Sequence, residues 1–264
     1  LEKHTRVDVA DALRGLAVMG IIVLHSIEHF NFYSYPDTAT QSAWLNFSDK
    51  AIWDGLFFMF GGKAYAVFAL LFGFSFFVQD NNRRVRGNDF RLRFCWRLVL
   101  LFIIGNFNAA FFTGEVLVLY SLMGFILPLT CRMKDKWVFL LGCVLLIQPL
   151  PLYYVIRACA DSSFVTPSIP SDSFWQATFE MQSHGTFLET LRVNLWEGQL
   201  ASLAWAWDNA RVFQTAALFL FGMLIGRRGL FLQENIKFWN KVLCGALVAF
   251  FPLYGLGNML PDFI

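Results

Sequence analysis

The chain has 264 residues, is 57% apolar and 18% aromatic, and has a mean hydropathy of +0.52. Charged residues make up 15%, against about 25% in an ordinary soluble domain, and 31 Phe with nine Trp exceed the needs of one soluble core. A net charge of +2 with no basic-aromatic stripe gives no reason to invoke nucleic acid, and the composition predicts an all-α, polytopic integral membrane protein.

Seven apolar stretches approach or exceed the length of a bilayer crossing, at roughly 12–30, 62–79, 94–112, 115–131, 137–158, 211–226 and 239–258. The first follows charged residues but lacks a small-residue cleavage site, so it reads as a retained span and not as a cleaved leader. It contains Arg14, then GLAVMGIIVL, then His25. Ionisable groups inside a span are costly and point to function by default. Eleven residues advance a helix by about 1100°, which leaves the two side chains about 20° apart in azimuth and about 16 Å apart along the axis. A cation at one membrane surface thus lies in line with an imidazole deeper in the bilayer. Asp11, one turn before Arg14, is spaced to pair with it. Arg14 suits a phosphate-bearing cosubstrate, because guanidinium binds phosphate oxygens bidentately. The plainer alternatives are an interfacial ion pair that sets helix depth and a hydrogen-bonded packing histidine.

Residues 31–61 hold a Tyr/Pro/Asp/Ser stretch and then DKAIWDGLFFMFGG, which predicts a short interfacial or re-entrant helix. The connection at 80–97 carries Arg83, Arg84, Arg86, Arg91, Arg93 and Arg97, whereas the turn near 113–115 carries no basic residue. Lys and Arg return at 132–136 and again at 227–241. This alternation predicts a cytoplasmic N-terminus, with Arg14 at the cytoplasmic end of the first span and His25 toward the outer half. Pro149 and Pro151 predict a kink in the fifth span. Residues 159–210 form an outer excursion with a Ser/Pro-rich opening and amphipathic stretches bearing Trp175, Trp196, Trp205 and Trp207. The organisation expected is a single transmembrane domain over 1–264, with these two extracytoplasmic segments and no internal repeat. The five cysteines lack CxxC spacing and read as small apolar packing residues.

The segment RVDVADALRGLAVMGIIVLH resembles the start of the transmembrane acyltransferase superfamily, in which Arg-x10-His recurs in helix 1. GKAYAVFALLFGFSFF, RLVLLFIIGNFNAAFFTGEVLVLYSLMGF and LFLFGMLIGRRGLF extend the resemblance over most of the chain, specifically to the YeiB-like branch. The resemblance implies a membrane-embedded acyltransferase in a bacterial inner membrane. It would move an acyl group, most plausibly acetyl, from cytoplasmic acyl-CoA to an extracytoplasmic acceptor, usually a carbohydrate hydroxyl or amine, without a metal. On that basis Arg14, positioned by Asp11, contacts CoA, and His25 is the catalytic histidine, either as general base or as an acylated intermediate. Lys63 and Glu115 match polar positions of the branch, Tyr120 closes the second pattern, and Glu115 is placed to orient or charge-balance His25. Arg97, at the entry to the third span, is the best CoA-phosphate candidate of the basic connection, whose charge positive-inside topology alone would also explain. Many members of the branch have Asn at the position of His25, and the third-span motif often ends in His where this chain has Asn108. Family members also continue through further carboxy-terminal helices, so this chain is expected either to be a fragment or to lack them. The implied partners are the lipid bilayer, acyl-CoA and a glycan acceptor, and a homo-oligomer is compatible with all of this.

Two other readings compete. His25, Glu28 and His29 spell H-x-x-E-H, a zinc-hydrolase spacing that would need a third ligand such as Glu115 or Asp54. Alternatively Arg14, His25, Lys63 and Glu115 line a transport path, although the sequence shows no inverted repeat or paired broken helices.

Overall fold

The computed structural model describes residues 8–30, 38–161, 163–165, 167 and 171–259, leaving aside the side chains of 28–30, 233 and 256–259. All regular structure among the described residues is helical. Helix α1 (Asp8–Phe30) is unbroken and places Asp8 and Asp11 in its first turn, where the peptide dipoles favour carboxylates. It carries both Arg14 and His25, as their spacing requires. Helix α2 (Ala43–Phe60) starts at Ser42, whose hydroxyl accepts from the Leu45 N–H at 3.3 Å. Gly62, at φ +67°, then leads into α3 (Lys63–Val85). The 31–61 segment therefore holds an apolar helix of 18 residues that runs on toward α3, in one helical stretch of 43 residues. Residues 31–37 lie outside the described residues.

Four stretches are long and apolar enough to cross a membrane: Asp8–Ile27, Ala43–Val85, Arg91–Ala109 and Ile236–Gly255. The last two belong to α4 (Arg91–Ala109) and α13 (Ile236–Met259). Two bent pairs raise the count to six. In one, α7 (Asp135–Leu146) meets α8 (Pro149–Ala160) at 43°. Gln148 takes a left-handed φ of +58° there, ahead of Pro149 and Pro151, which is the kink the QPLP segment predicts. In the other, α10 (Phe187–Val193), a π turn at Asn194–Gly198 and α11 (Gln199–Asp208) meet α12 (Arg211–Arg227) at 73°, with Ala210 at φ +54°. The sequence reading of about seven spans exceeds this count chiefly at 115–131. That stretch divides into α5 (Leu117–Gly124) and α6 (Ile126–Thr130). At 1.5 Å per residue the two cover about 21 Å, short of a hydrocarbon core of about 30 Å. Between α8 and α10, the 159–210 segment adds α9 (Ser171–His184).

Helices α3 and α12 form the centre and run parallel, Tyr65 meeting Thr215 near one end and Phe77 meeting Gly226 near the other. Two glycines set their separation. A Cβ on Gly73 would lie 1.9 Å from the Phe219 carbonyl oxygen, and one on Gly222 would lie 1.8 Å from that of Leu70. Backbones that touch in this way are typical of membrane helix pairs, in which small residues replace hydrophobic burial as the source of packing. Around this seam Phe72 stacks on Phe219 at 4.6 Å, Tyr120 meets Phe219 edge-on at 5.2 Å, and Phe76 meets Phe94 at 4.5 Å. Helix α1 packs antiparallel on the other side of α3, Arg14 against Ser75 and Gly20 against Phe60 and Ala64. The outer surface is strongly apolar, with Ile103, Phe107, Leu243, Val248 and Phe251 all exposed. Exposed apolar side chains in this number are compatible with a lipid surround.

Candidate functional site

Arg14 is held on two sides. It donates to Asp11 Oδ1 at 2.7 Å and to Ser75 Oγ at 3.1 Å. The Ser75 carbonyl accepts from Gln79 Nε2 at 3.1 Å, and Gln79 Oε1 in turn accepts from Arg97. Ser75 and Gln79 are four residues apart and so share one face of α3. A single polar line thus joins α1, α3 and α4 through otherwise apolar packing. It brings Arg14 and Arg97 to the wall of one cavity of about 240 Å³, with Ser75, Gln79, Phe72 and Phe94. Each guanidinium carries five N–H donors, more than these partners take up, so the cavity presents donors to an anionic group. The sequence pairing of Asp11 with Arg14 is present, and Arg97 joins the same cavity. Ser75 and Gln79 were not singled out, although two polar residues four apart within SFFVQD were the available signal.

His25 is half-buried, three turns further along α1, with its ring edge-on to Phe112 at 5.2 Å and 75°. Phe112 belongs to the connection between α4 and α5, which also holds Glu115. Glu115 is buried, and its carboxylate accepts from Asn108 Nδ2 and from the Leu117 N–H. Its carbonyl accepts from Ser202 Oγ at 3.2 Å. Glu115 therefore fixes the turn and satisfies a backbone donor at the start of α5. The carboxylate is committed to Asn108 and Leu117, and the Phe112 ring brings this turn against His25. Asn108 is thus the partner that keeps a buried carboxylate hydrogen-bonded.

Lys63 lies elsewhere. Its ammonium donates to the Phe58 carbonyl at 2.5 Å and sits 5.1 Å from the Phe58 ring centroid, closing the end of α2. Twelve residues of α3 separate it from Ser75, about 18 Å along the axis, so it does not join the Arg14 and Arg97 cavity. Near Lys63 the structure adds an arginine that the sequence reading passed over. Arg211 lies over Tyr65 at 5.7 Å and Trp205 at 5.8 Å and donates to Gln214 at 2.7 Å. Tyr65 in turn shares a hydrogen bond with Thr215, and the Tyr120 hydroxyl donates to the Tyr65 carbonyl at 3.2 Å. Of the tryptophans in 159–210, Trp205 is thereby tied to the central helices, and Trp207 meets Phe213 of α12 at 5.9 Å.

The side chains of Glu28 and His29, which the H-x-x-E-H reading needs, lie outside the described residues. Among the described residues, no group of three or more His, Cys, Asp or Glu has the proximity of a metal site.

Comparison with known proteins supplies relatives without assigned roles. The chain is 32% identical over 143 residues to the uncharacterized protein YxaH of Bacillus subtilis (strain 168), covering 50% of this chain and 34% of that protein. It is 26% identical over 157 residues to an uncharacterized 39.9 kDa protein in amylase 3'region of Bacillus acidopullulyticus, covering 56% of this chain and 43% of that protein. The matches span less than half the length of either curated relative. No family model matches the chain, and no solved structure matches it.

Proposed function

We propose that the chain is the acyl-CoA-binding and catalytic part of a membrane acyltransferase, with an acetyl group the most plausible cargo and a glycan the most plausible acceptor. One observation carries the reading: Arg14 and Arg97 line one cavity, and His25 lies on the same helix as Arg14, about 16 Å further along. Two guanidiniums suit the phosphates of CoA. In this scheme the basic end of the bundle faces the cytoplasm, in keeping with the positive-inside rule. His25 then lies deeper, where a neutral imidazole takes the proton of an acceptor hydroxyl or amine as it attacks the thioester carbonyl, and CoA leaves as the thiol. Glu115 and Asn108 act on this chemistry by holding the turn that carries Phe112 against His25. Lys63 secures the end of α2 in this scheme and does not touch the cosubstrate.

The test is release of CoA thiol from acetyl-CoA by the purified protein, with candidate sugars and glycolipids as acceptors. Acceptor-dependent release lost in His25→Ala supports the proposal. Release that His25→Ala leaves intact removes His25 from the chemistry.

The second reading, a transporter, gains from the two broken helix pairs at 146–149 and 208–211, because transporters build binding sites at such breaks. Proteoliposomes separate the two: a transporter accumulates an unmodified solute, whereas an acyltransferase consumes acyl-CoA.

A further inference from the structure

A second polar cavity, of about 410 Å³, lies at the basic end of α3, with Asp80, Arg84, Cys131, Arg132, Asp135 and Arg227 in its wall. Phe76 contributes to its wall and to that of the Arg14 and Arg97 cavity, so the two are neighbours across one ring. Part of this cluster is structural. Arg227 donates to the carbonyls of Cys131 at 2.6 Å and Met133 at 2.9 Å and to Asp135 at 3.0 Å, which ties α12 to the turn between α6 and α7.

Asp80 and its neighbours are different. Asp80 is 6% exposed, its Oδ2 lies 3.6 Å from Arg132, beyond hydrogen-bond length, and its Oδ1 has no hydrogen-bond partner among the described residues. Arg132 is stretched between Asp80 and Asp89, 3.7 Å from the latter, while Asp89 is already paired with Arg91 at 2.6 Å. Arg84, one turn beyond Asp80 on α3, approaches Asn81 at 3.4 Å. A buried carboxylate is costly unless hydrogen-bonded, and Arg132 sits at ion-pair distance without completing a bond. The wall therefore offers a buried acceptor beside two guanidiniums. A bare anion would meet the repulsion of Asp80, whereas an anion that also carries a donor would satisfy both sides.

We propose that this cavity binds a phosphate ester bearing a hydroxyl or amino group, with phosphate oxygens at Arg84 and Arg132 and the donor on Asp80. The nucleotide end of a cosubstrate has this chemistry, and so does a hydroxylated phospholipid headgroup. The site stands whether or not the chain transfers acyl groups.

The experiment titrates the full chain in detergent with adenosine 3',5'-bisphosphate, and in phosphatidylcholine nanodiscs measures retention of added phosphatidylglycerol by native mass spectrometry. Arg84 is exposed, so Arg84→Ala leaves the fold intact. One of the two ligands is expected to bind saturably, weakened about tenfold by Arg84→Ala, the loss of one charge-assisted hydrogen bond. Asp80→Asn should weaken that ligand but leave sulfate, a bare anion with no donor, no weaker than in wild type. Bisphosphate binding identifies the nucleotide source and retention of phosphatidylglycerol the lipid source. Binding of neither ligand by folded protein, or binding indifferent to both substitutions, overturns the proposal. If acetyl-CoA binding depends on Arg14 while neither the bisphosphate nor phosphatidylglycerol depends on Arg84 or Asp80, this site fails and the acyltransferase proposal stands. The reverse pattern, Arg84-dependent ligand binding with no use of acetyl-CoA, keeps the site and removes the acyltransferase.

Discussion

Arg14 on α1 and Arg97 on α4 face one cavity because Ser75 and Gln79, one turn apart on α3, each hold one of them. Neither arginine is placed by its own helix alone. Ser75→Ala removes the support of Arg14 and keeps that of Arg97, because Gln79 bonds the Ser75 backbone carbonyl.

Ser75→Ala should lower cosubstrate affinity about three- to tenfold, the net value of one hydrogen bond, without unfolding the bundle. Titration calorimetry with acetyl-CoA on matched, folded samples checks this. Affinity equal to wild type would detach Ser75 from the site.

His25→Ala should reduce turnover about 10²- to 10⁴-fold and leave cosubstrate binding unchanged, as a general base contributes to the transition state and not to ground-state affinity. Turnover and binding measured on the same preparation separate the two effects. A parallel loss of binding would instead mark His25 as a packing residue.

Gly73→Ala and Gly222→Ala should each destabilise the bundle by at least about 1–3 kcal/mol, because the added methyl meets a backbone oxygen that cannot rotate away. Gly15→Ala is the control: open space surrounds it, and Ala favours a helix by up to about 1 kcal/mol. Thermal unfolding in detergent should rank Gly15→Ala highest and the other two lowest.

Asp89, in the turn between α3 and α4, has its carboxyl lowered from 3.8 to about 2 by hydrogen bonds from the Arg91 side chain and backbone, aided by the Arg91 and Arg132 charges. A folded-state value below the unfolded one stabilises the fold above 3.8, and the contribution is lost as pH falls toward 2. Asp89→Asn should flatten the acid limb of a melting-temperature profile over that window. An acid limb identical to wild type would contradict it.

The features legible in the sequence are those confined to one helix. Arg14 and His25 share α1 because a period of 3.6 residues relates them directly, and Asp11 pairs with Arg14 for the same reason. The QPLP kink follows from missing backbone donors. What the sequence concealed is tertiary. Ser75 and Gln79 matter only because α1 and α4 pack on their face of α3. The break at Ala210 places an alanine in a left-handed conformation that sequence assigns to glycine, so nothing in the sequence marked it. Glu115 was legible as a candidate partner of His25 but not as a carboxylate committed to Asn108 and Leu117.

The most direct measurement is acetyl-CoA binding to the purified chain in detergent, by calorimetry, for wild type and Arg14→Ala. The account predicts saturable binding by wild type, weakened at least about tenfold in Arg14→Ala through loss of charge-assisted hydrogen bonds. Equal binding by both proteins, or no binding by folded wild type, would contradict it.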